Sequence, residues 1–109
     1  MENENNMVPF RFEGQLVRVE MIEGEPWWVA KDVCEILGLA DVSQSIERLD
    51  DDEKLMRSLY VSGQNRQTWL IGEPGVYNLT MRSNKPEARA FRRWITRIPL
   101  RLVITKFSM

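Results

Sequence analysis

Five basic side chains recur through residues 85–97, KPEARAFRRWITR: Lys85, Arg89, Arg92, Arg93 and Arg97. A guanidinium is planar, permanently charged and forked, so it meets two phosphate or carboxylate oxygens at once, which an ammonium cannot. At about 100° per residue on a helix, the five cations fall within an arc of roughly 140°. Ala88, Phe91, Trp94 and Ile95 take the opposite arc. The chemistry implied is the binding of an anionic partner, with the aromatic arc turned into a core rather than stacked on bases.

The charge of the whole chain conceals this cluster. Fifteen Lys and Arg nearly balance sixteen Asp and Glu, for a net charge of -1. Residues 1–60 nevertheless carry fourteen acidic and six basic side chains, and residues 61–109 carry two and nine, a split of -8 against +7. Such polarity serves either internal pairing of the two halves or an anionic partner such as nucleic acid. Past Gln64 the only acidic side chains are Glu73 and Glu87, so neighbours in sequence cannot neutralise the arginine face.

Other chemistry has little to work with. There is no histidine and one cysteine, Cys34, which leaves no internal disulfide and neither the usual metal ligand nor the usual general base. No cofactor and no enzymatic activity are expected. The acidic run Asp50-Asp51-Asp52-Glu53 lacks the glycine and ligand spacing of a calcium loop and reads as a solvated turn.

At 109 residues the chain is long enough for one domain with a real core. No apolar run approaches a membrane span, so no membrane partner is expected. The start, MENENNM, lacks the features of a signal peptide, and residues 1–9 read as a flexible terminus of a cytoplasmic protein. From Phe10 to Val29 the pattern alternates like strands, broken by Glu13-Gly14 and Gly24-Glu25-Pro26, and predicts a small antiparallel meander. Trp27 and Trp28 must then point to opposite faces. Residues 54–61 and 66–71 predict a second hairpin across Ser62-Gly63-Gln64-Asn65. A helix follows to about Arg82, with Pro74 in its first turn, and the basic helix begins at Asn84, where Glu87 stands in the place of a capping carboxylate.

Residues 30–49, AKDVCEILGLADVSQSIERL, read as helix, tight turn, helix. Val33, Ile36 and Leu37 stripe the first helix, Gly38 suits the left-handed position after it, and Ile46 with Leu49 stripes the second. That is the helix-turn-helix pattern, in which Ser43, Gln44 and Arg48 would be the exposed side chains able to address bases or phosphates. Asp41, Glu47 and the acidic run lie close by and oppose a phosphate backbone there. The fold class expected is α+β: small antiparallel strands and hairpins with three to four short helices, including the helix-turn-helix-like pair and the basic C-terminal helix.

The stretches FEGQLVRV, EPWWVAKDVCEILGL and GVYNLTMRSNKPEARAFRRWIT together resemble the BRO family N-terminal domain of prophage antirepressors and large DNA viruses. The resemblance covers residues 10–97. It implies an α+β DNA-binding module, usually followed by a variable second domain that this sequence does not continue into. Carried over residue by residue, it points to Lys31, Arg82, Lys85, Arg89, Arg92 and Arg93 for DNA contact; Arg97 is added by the charge pattern, and Ser43, Gln44 and Arg48 by the helix-turn-helix analogy.

After Arg97 the pattern is lost. Pro99 arrives five residues after Trp94 and should stop the helix, so residues 98–109 form an atypical tail. Its β-branched LRLVITKF predicts an edge strand or a contact in a homodimer, or else the product of a truncation or a shifted frame. The function expected is a phage or prophage regulatory domain that grips double-stranded DNA by its arginine-rich helix, in the cytoplasm of a bacterial host. The alternative is a protein-interaction module that binds and inhibits a repressor or another phage or host protein.

Overall fold

The computed structural model describes residues 7–61 and 63–97. The chain runs through three strands, β1 (Met7–Phe12), β2 (Gln15–Ile22) and β3 (Glu25–Val29), and into two helices, α1 (Ala30–Leu37) and α2 (Val42–Glu47). A single 3-10 turn, Asp51–Glu53, leads to β4 (Lys54–Val61) and β5 (Gln64–Gly72). Helices α3 (Glu73–Arg82) and α4 (Pro86–Arg97) complete an α+β fold. The five strands form one antiparallel sheet in the order β1-β2-β3-β5-β4.

The meander is built on two equal hinges. Phe12 pairs with Gln15 and Ile22 with Glu25, so each hairpin turns on two residues, Glu13-Gly14 and Glu23-Gly24. Both residues of each pair take positive φ, between 50° and 84°. Such turns match the right-handed twist of the strands they join, which offsets the strain at the two glutamates. The first strand starts at Met7, ahead of the expected Phe10, and β5 starts at Gln64 rather than Arg66 because ladder pairing continues to Val61 and Gln64.

Side chains alternate across the sheet and feed two cores. Val17, Val19 and Met21 of β2, Trp28 of β3 and Ile71 of β5 face the helices and meet Val33, Ile36 and Leu37 of α1, Val76 and Leu79 of α3, and Phe91 and Ile95 of α4. Trp27 points the other way, onto a smaller cluster around Val29, Leu59 and Leu70. Arg57 on β4 comes within 3.9 Å of Glu20 on β2, although β3 and β5 lie between them in strand order.

One ion pair explains how α1 leaves the sheet. β3 pairs with β2 only as far as Val19 and then turns into α1, which leaves the N–H of Arg18 without a strand neighbour on that side. Asp32, in the first turn of α1, takes the strand's place. Its Oδ2 accepts from the Arg18 backbone N–H at 2.9 Å and from Nε at 2.8 Å, and its Oδ1 accepts from Nη2 at 2.8 Å. The hydrogen bond to Asp32 raises the already high pKa of Arg18 against the cost of its partial burial.

Residues 1–6, most of the expected flexible terminus, and residues 98–109, the tail expected to form an edge strand or dimer contact, lie outside the described residues.

Candidate nucleic-acid interface

The basic helix begins at Pro86, not at Asn84. A proline needs no N–H partner in a first turn, and the preceding corner makes different use of its polar groups. Ser83 donates its hydroxyl proton to the Leu37 carbonyl at the end of α1, at 2.7 Å, while its oxygen accepts from the Lys85 N–H at 3.2 Å. The corner between α3 and α4 is thereby tied to the turn between α1 and α2. Gly38 in that turn has φ 72°, and the aliphatic part of Lys85 lies so close over it that a Cβ there would collide with the lysine. The positive φ favours glycine, and any side chain there would also push the flexible lysine aside.

The inner arc of α4 fixes the orientation of its outer arc. Ala88, Phe91 and Ile95 are buried. Phe91 stacks on Trp94 with ring centroids 5.6 Å apart, and Phe12 meets both rings edgewise or tilted, at 5.2 Å and 5.4 Å. Phe91 also meets Trp28 at 6.4 Å. These contacts hold the helix against the sheet and leave Arg89, Arg93 and Arg97 exposed and Arg92 half-exposed. Among the described residues no ion pair reaches any of the four; the pairs described there are Arg18 with Asp32 and Arg57 with Glu20. Several acidic residues of the first half have partners elsewhere, Glu20, Asp32 and Asp41 among them. Asp50 and Glu53 cap the 3-10 turn reciprocally, the Asp50 N–H donating to Glu53 Oε1 at 3.0 Å.

Two adjoining concavities gather most of the candidate residues. The larger, about 700 Å³, lies along the start of α4 and is lined by Lys85, Arg89 and Arg92 together with Thr80, Met81 and Asn84. The smaller, about 220 Å³, lies between α2 and the end of α3 and brings Gln44, Arg48 and Arg82 to the Gly38 turn. Arg82 also donates from Nε to Asn78 Oδ1 at 3.2 Å, which steers it along α3. Arg93 and Arg97 are exposed further along α4, outside both linings. Ser43 is exposed on α2 and Lys31 on α1, and neither lines either concavity.

Asp41 lies in the lining of the smaller concavity. It is the N-cap of α2, with Oδ1 accepting the Gln44 N–H at 2.9 Å. Ser45, one turn on, donates to the Asp41 carbonyl at 2.9 Å. Below them Cys34 is fully buried, and burial pushes its thiol pKa up against a smaller opposing contact with Ser45. Among the described residues no group of three or more His, Cys, Asp or Glu side chains is placed to hold a metal ion. No helix among them is long and apolar enough to cross a membrane.

Ser83 and Met81 were not read from the sequence as parts of this surface. Ser83 carries no periodic signal, because its partner Leu37 is 46 positions away. Met81 sits beside the apolar stripe of α3 yet is 75% exposed at the mouth of the larger groove.

Against known protein families, residues 15–100 match the model of the BRO family, N-terminal domain. The chain belongs to that family. The match runs past Arg97, where the resemblance was expected to end, and takes in β2 to α4 entire. An uncharacterized protein of Haemophilus influenzae is 30% identical over 97 residues, which cover 87% of this chain and 48% of the relative. A Bro-N domain-containing protein of Invertebrate iridescent virus 6 is 29% identical over 94 residues, covering 69% of this chain and 22% of the relative. The chain thus spans about half or less of the length of these curated relatives. No solved structure gives a significant match. Within this Bro-N domain both concavities are built from matched residues, since all their linings fall between Gly38 and Arg92.

Proposed function

We propose that this Bro-N domain is a regulatory DNA-binding module of the phage or prophage antirepressor type, working in the cytoplasm of a bacterial host, and that α4 grips the phosphates of double-stranded DNA. The observation that carries the reading is the state of the α4 cations. Arg89, Arg92, Arg93 and Arg97 stand on one side of a helix whose other side is fastened by Phe91 and Trp94, and no carboxylate among the described residues pairs with them. Exposed arginines held in a rigid row, with nothing to neutralise them, suit a row of phosphate oxygens. Lys85 and Arg82 extend the row onto the neighbouring corner. This is a binding module and not an enzyme, needing no cofactor.

A second reading is favoured by the exposed Asp51 and Asp52 on the 3-10 turn. It makes the domain a protein-interaction module that inhibits a repressor or another phage or host protein through its acidic side.

Fluorescence anisotropy of a short labelled duplex of random sequence, titrated at several salt concentrations, tests the first reading. Four or five neutralised phosphates give a slope of log K against log salt of about -4. Replacing Arg89 and Arg93 by Glu should abolish that binding, whereas charge reversal at Asp51 and Asp52 should leave it intact and remove only binding of a protein partner. Absence of duplex binding at low salt would hand the lead to the protein-interaction reading.

A further inference from the structure

The two concavities differ in the kind of hydrogen bond they can make. Around the larger groove the charged groups are Lys85, Arg89 and Arg92, all donors, with no carboxylate in the lining. A phosphate oxygen only accepts, so such a lining is complete for backbone contact. The smaller concavity is mixed. Arg48 and Arg82 supply donors, the Gln44 amide supplies both donor and acceptor, and the Asp41 carboxylate, with one oxygen engaged by the Gln44 N–H, keeps Oδ2 as an acceptor. A carboxylate is a liability against phosphate, but base edges carry donors as well as acceptors, and the arginine, glutamine and aspartate groups each have a base-edge partner in the major groove.

We propose that this α2/α3 cleft reads base edges, so that sequence preference resides in Gln44, Arg48 and Arg82 while α4 supplies affinity. The assignment rests on the duplex-binding reading above and divides its surface in two. The cleft is shallow enough to meet a stacked base pair. Six of its eight lining residues are exposed, so its groups reach outward and no base has to leave the helix. Its position relative to the phosphate grip is set by covalent and packing links. Arg82 and Lys85 are three residues apart at one corner, Ser83 between them is bonded to Leu37 beside the cleft, and Lys85 lies across Gly38 in the cleft wall. Among the described residues no ion pair holds Arg48 or Arg82, so both guanidiniums keep their charge available. Ser43, although exposed on the same short helix, lies outside the lining and is not part of the reading set.

Selection of bound duplexes from a random-sequence library by the full chain, followed by anisotropy on the selected duplex and on a scrambled one, tests this division. The wild type should prefer the selected duplex. Gln44→Ala and Arg48→Ala should each lower that preference by roughly 5- to 100-fold at particular base pairs. Arg93→Ala should weaken both duplexes together and keep their ratio. Gln44→Glu, which exchanges an amide for a pure acceptor on an exposed and already helical site, should change the selected base instead of only weakening binding, and circular dichroism melts confirm that each variant is folded. A wild type that binds all duplexes equally, or cleft variants that retain the preference, would overturn the division while leaving duplex binding in place. No duplex binding by the wild type would overturn both readings.

Discussion

Arg18 and Arg93 carry the same guanidinium on the same small domain, and their surroundings make them different tools. Arg18 reaches across from β2 to a carboxylate buried in the first turn of α1 and engages both oxygens of Asp32 with its fork. Arg93 projects from α4 with no ion pair among the described residues. The difference lies in what the sheet needs. Where β3 departs into α1, an N–H on β2 loses its partner, and a buried acceptor must replace the strand. Having been buried, that acceptor needs a cation of its own. Nothing of the kind is missing around α4, whose fastening is aromatic, and no ion pair among the described residues takes up its arginines. Arg18 is a structural part because the backbone beside it lacks a hydrogen-bond partner, and the α4 arginines answer no such need.

The sharpest way to break this contrast is to remove Arg18. Arg18→Ala leaves Asp32, which is only 5% exposed, without its cation and should cost about 3–5 kcal/mol, read from urea unfolding. An unchanged unfolding midpoint would show that the pair is ornamental. A smaller effect is expected at the joint between the two concavities. Gly38→Ala forces a side chain onto a residue with φ 72° and displaces Lys85, for about 1–2 kcal/mol in the same assay. Arg93→Ala should sit at the bottom of the scale, within about 0.5 kcal/mol of the wild type by urea unfolding. A loss as large as that of Arg18→Ala would mean that α4 arginines hold the fold together and would remove the basis for assigning them to DNA.

Much of the architecture was legible because it depends on local rules. The alternation in QLVRVEM, the Glu13-Gly14 turn, the stripe Val33-Ile36-Leu37 with Gly38 behind it, and the 140° arc of cations on α4, roughly drawn from helical geometry, all reappear as elements, while the second turn falls on Glu23-Gly24, one residue ahead of the expected Gly24-Glu25-Pro26. The opposed faces of Trp27 and Trp28 follow from the period of a strand, and the two rings enter different cores. Boundaries were less readable. Asn84 looks like a cap in sequence, but Ser83 takes the polar work of that corner because the end of α1 lies within reach of its hydroxyl. Of the candidate site, the basic row of α4 was visible as periodicity, whereas the grouping of Gln44 and Arg48 with Arg82 was not.

Composition and spacing by themselves determined the α+β class, the order of strands and helices, and a helix with one cationic and one aromatic face. Those properties need only neighbours within a few residues, because propensity, turn chemistry and side-chain period act over that range. The tertiary structure alone decided that Asp32 would stand in for a strand, that Arg57 would approach Glu20 across two intervening strands, and that a corner hydroxyl would bring two helical pairs into one surface. Each joins residues far apart in the chain through directional hydrogen bonds and charge pairs, whose partners are chosen by how the core packs and leave no periodic trace in the sequence.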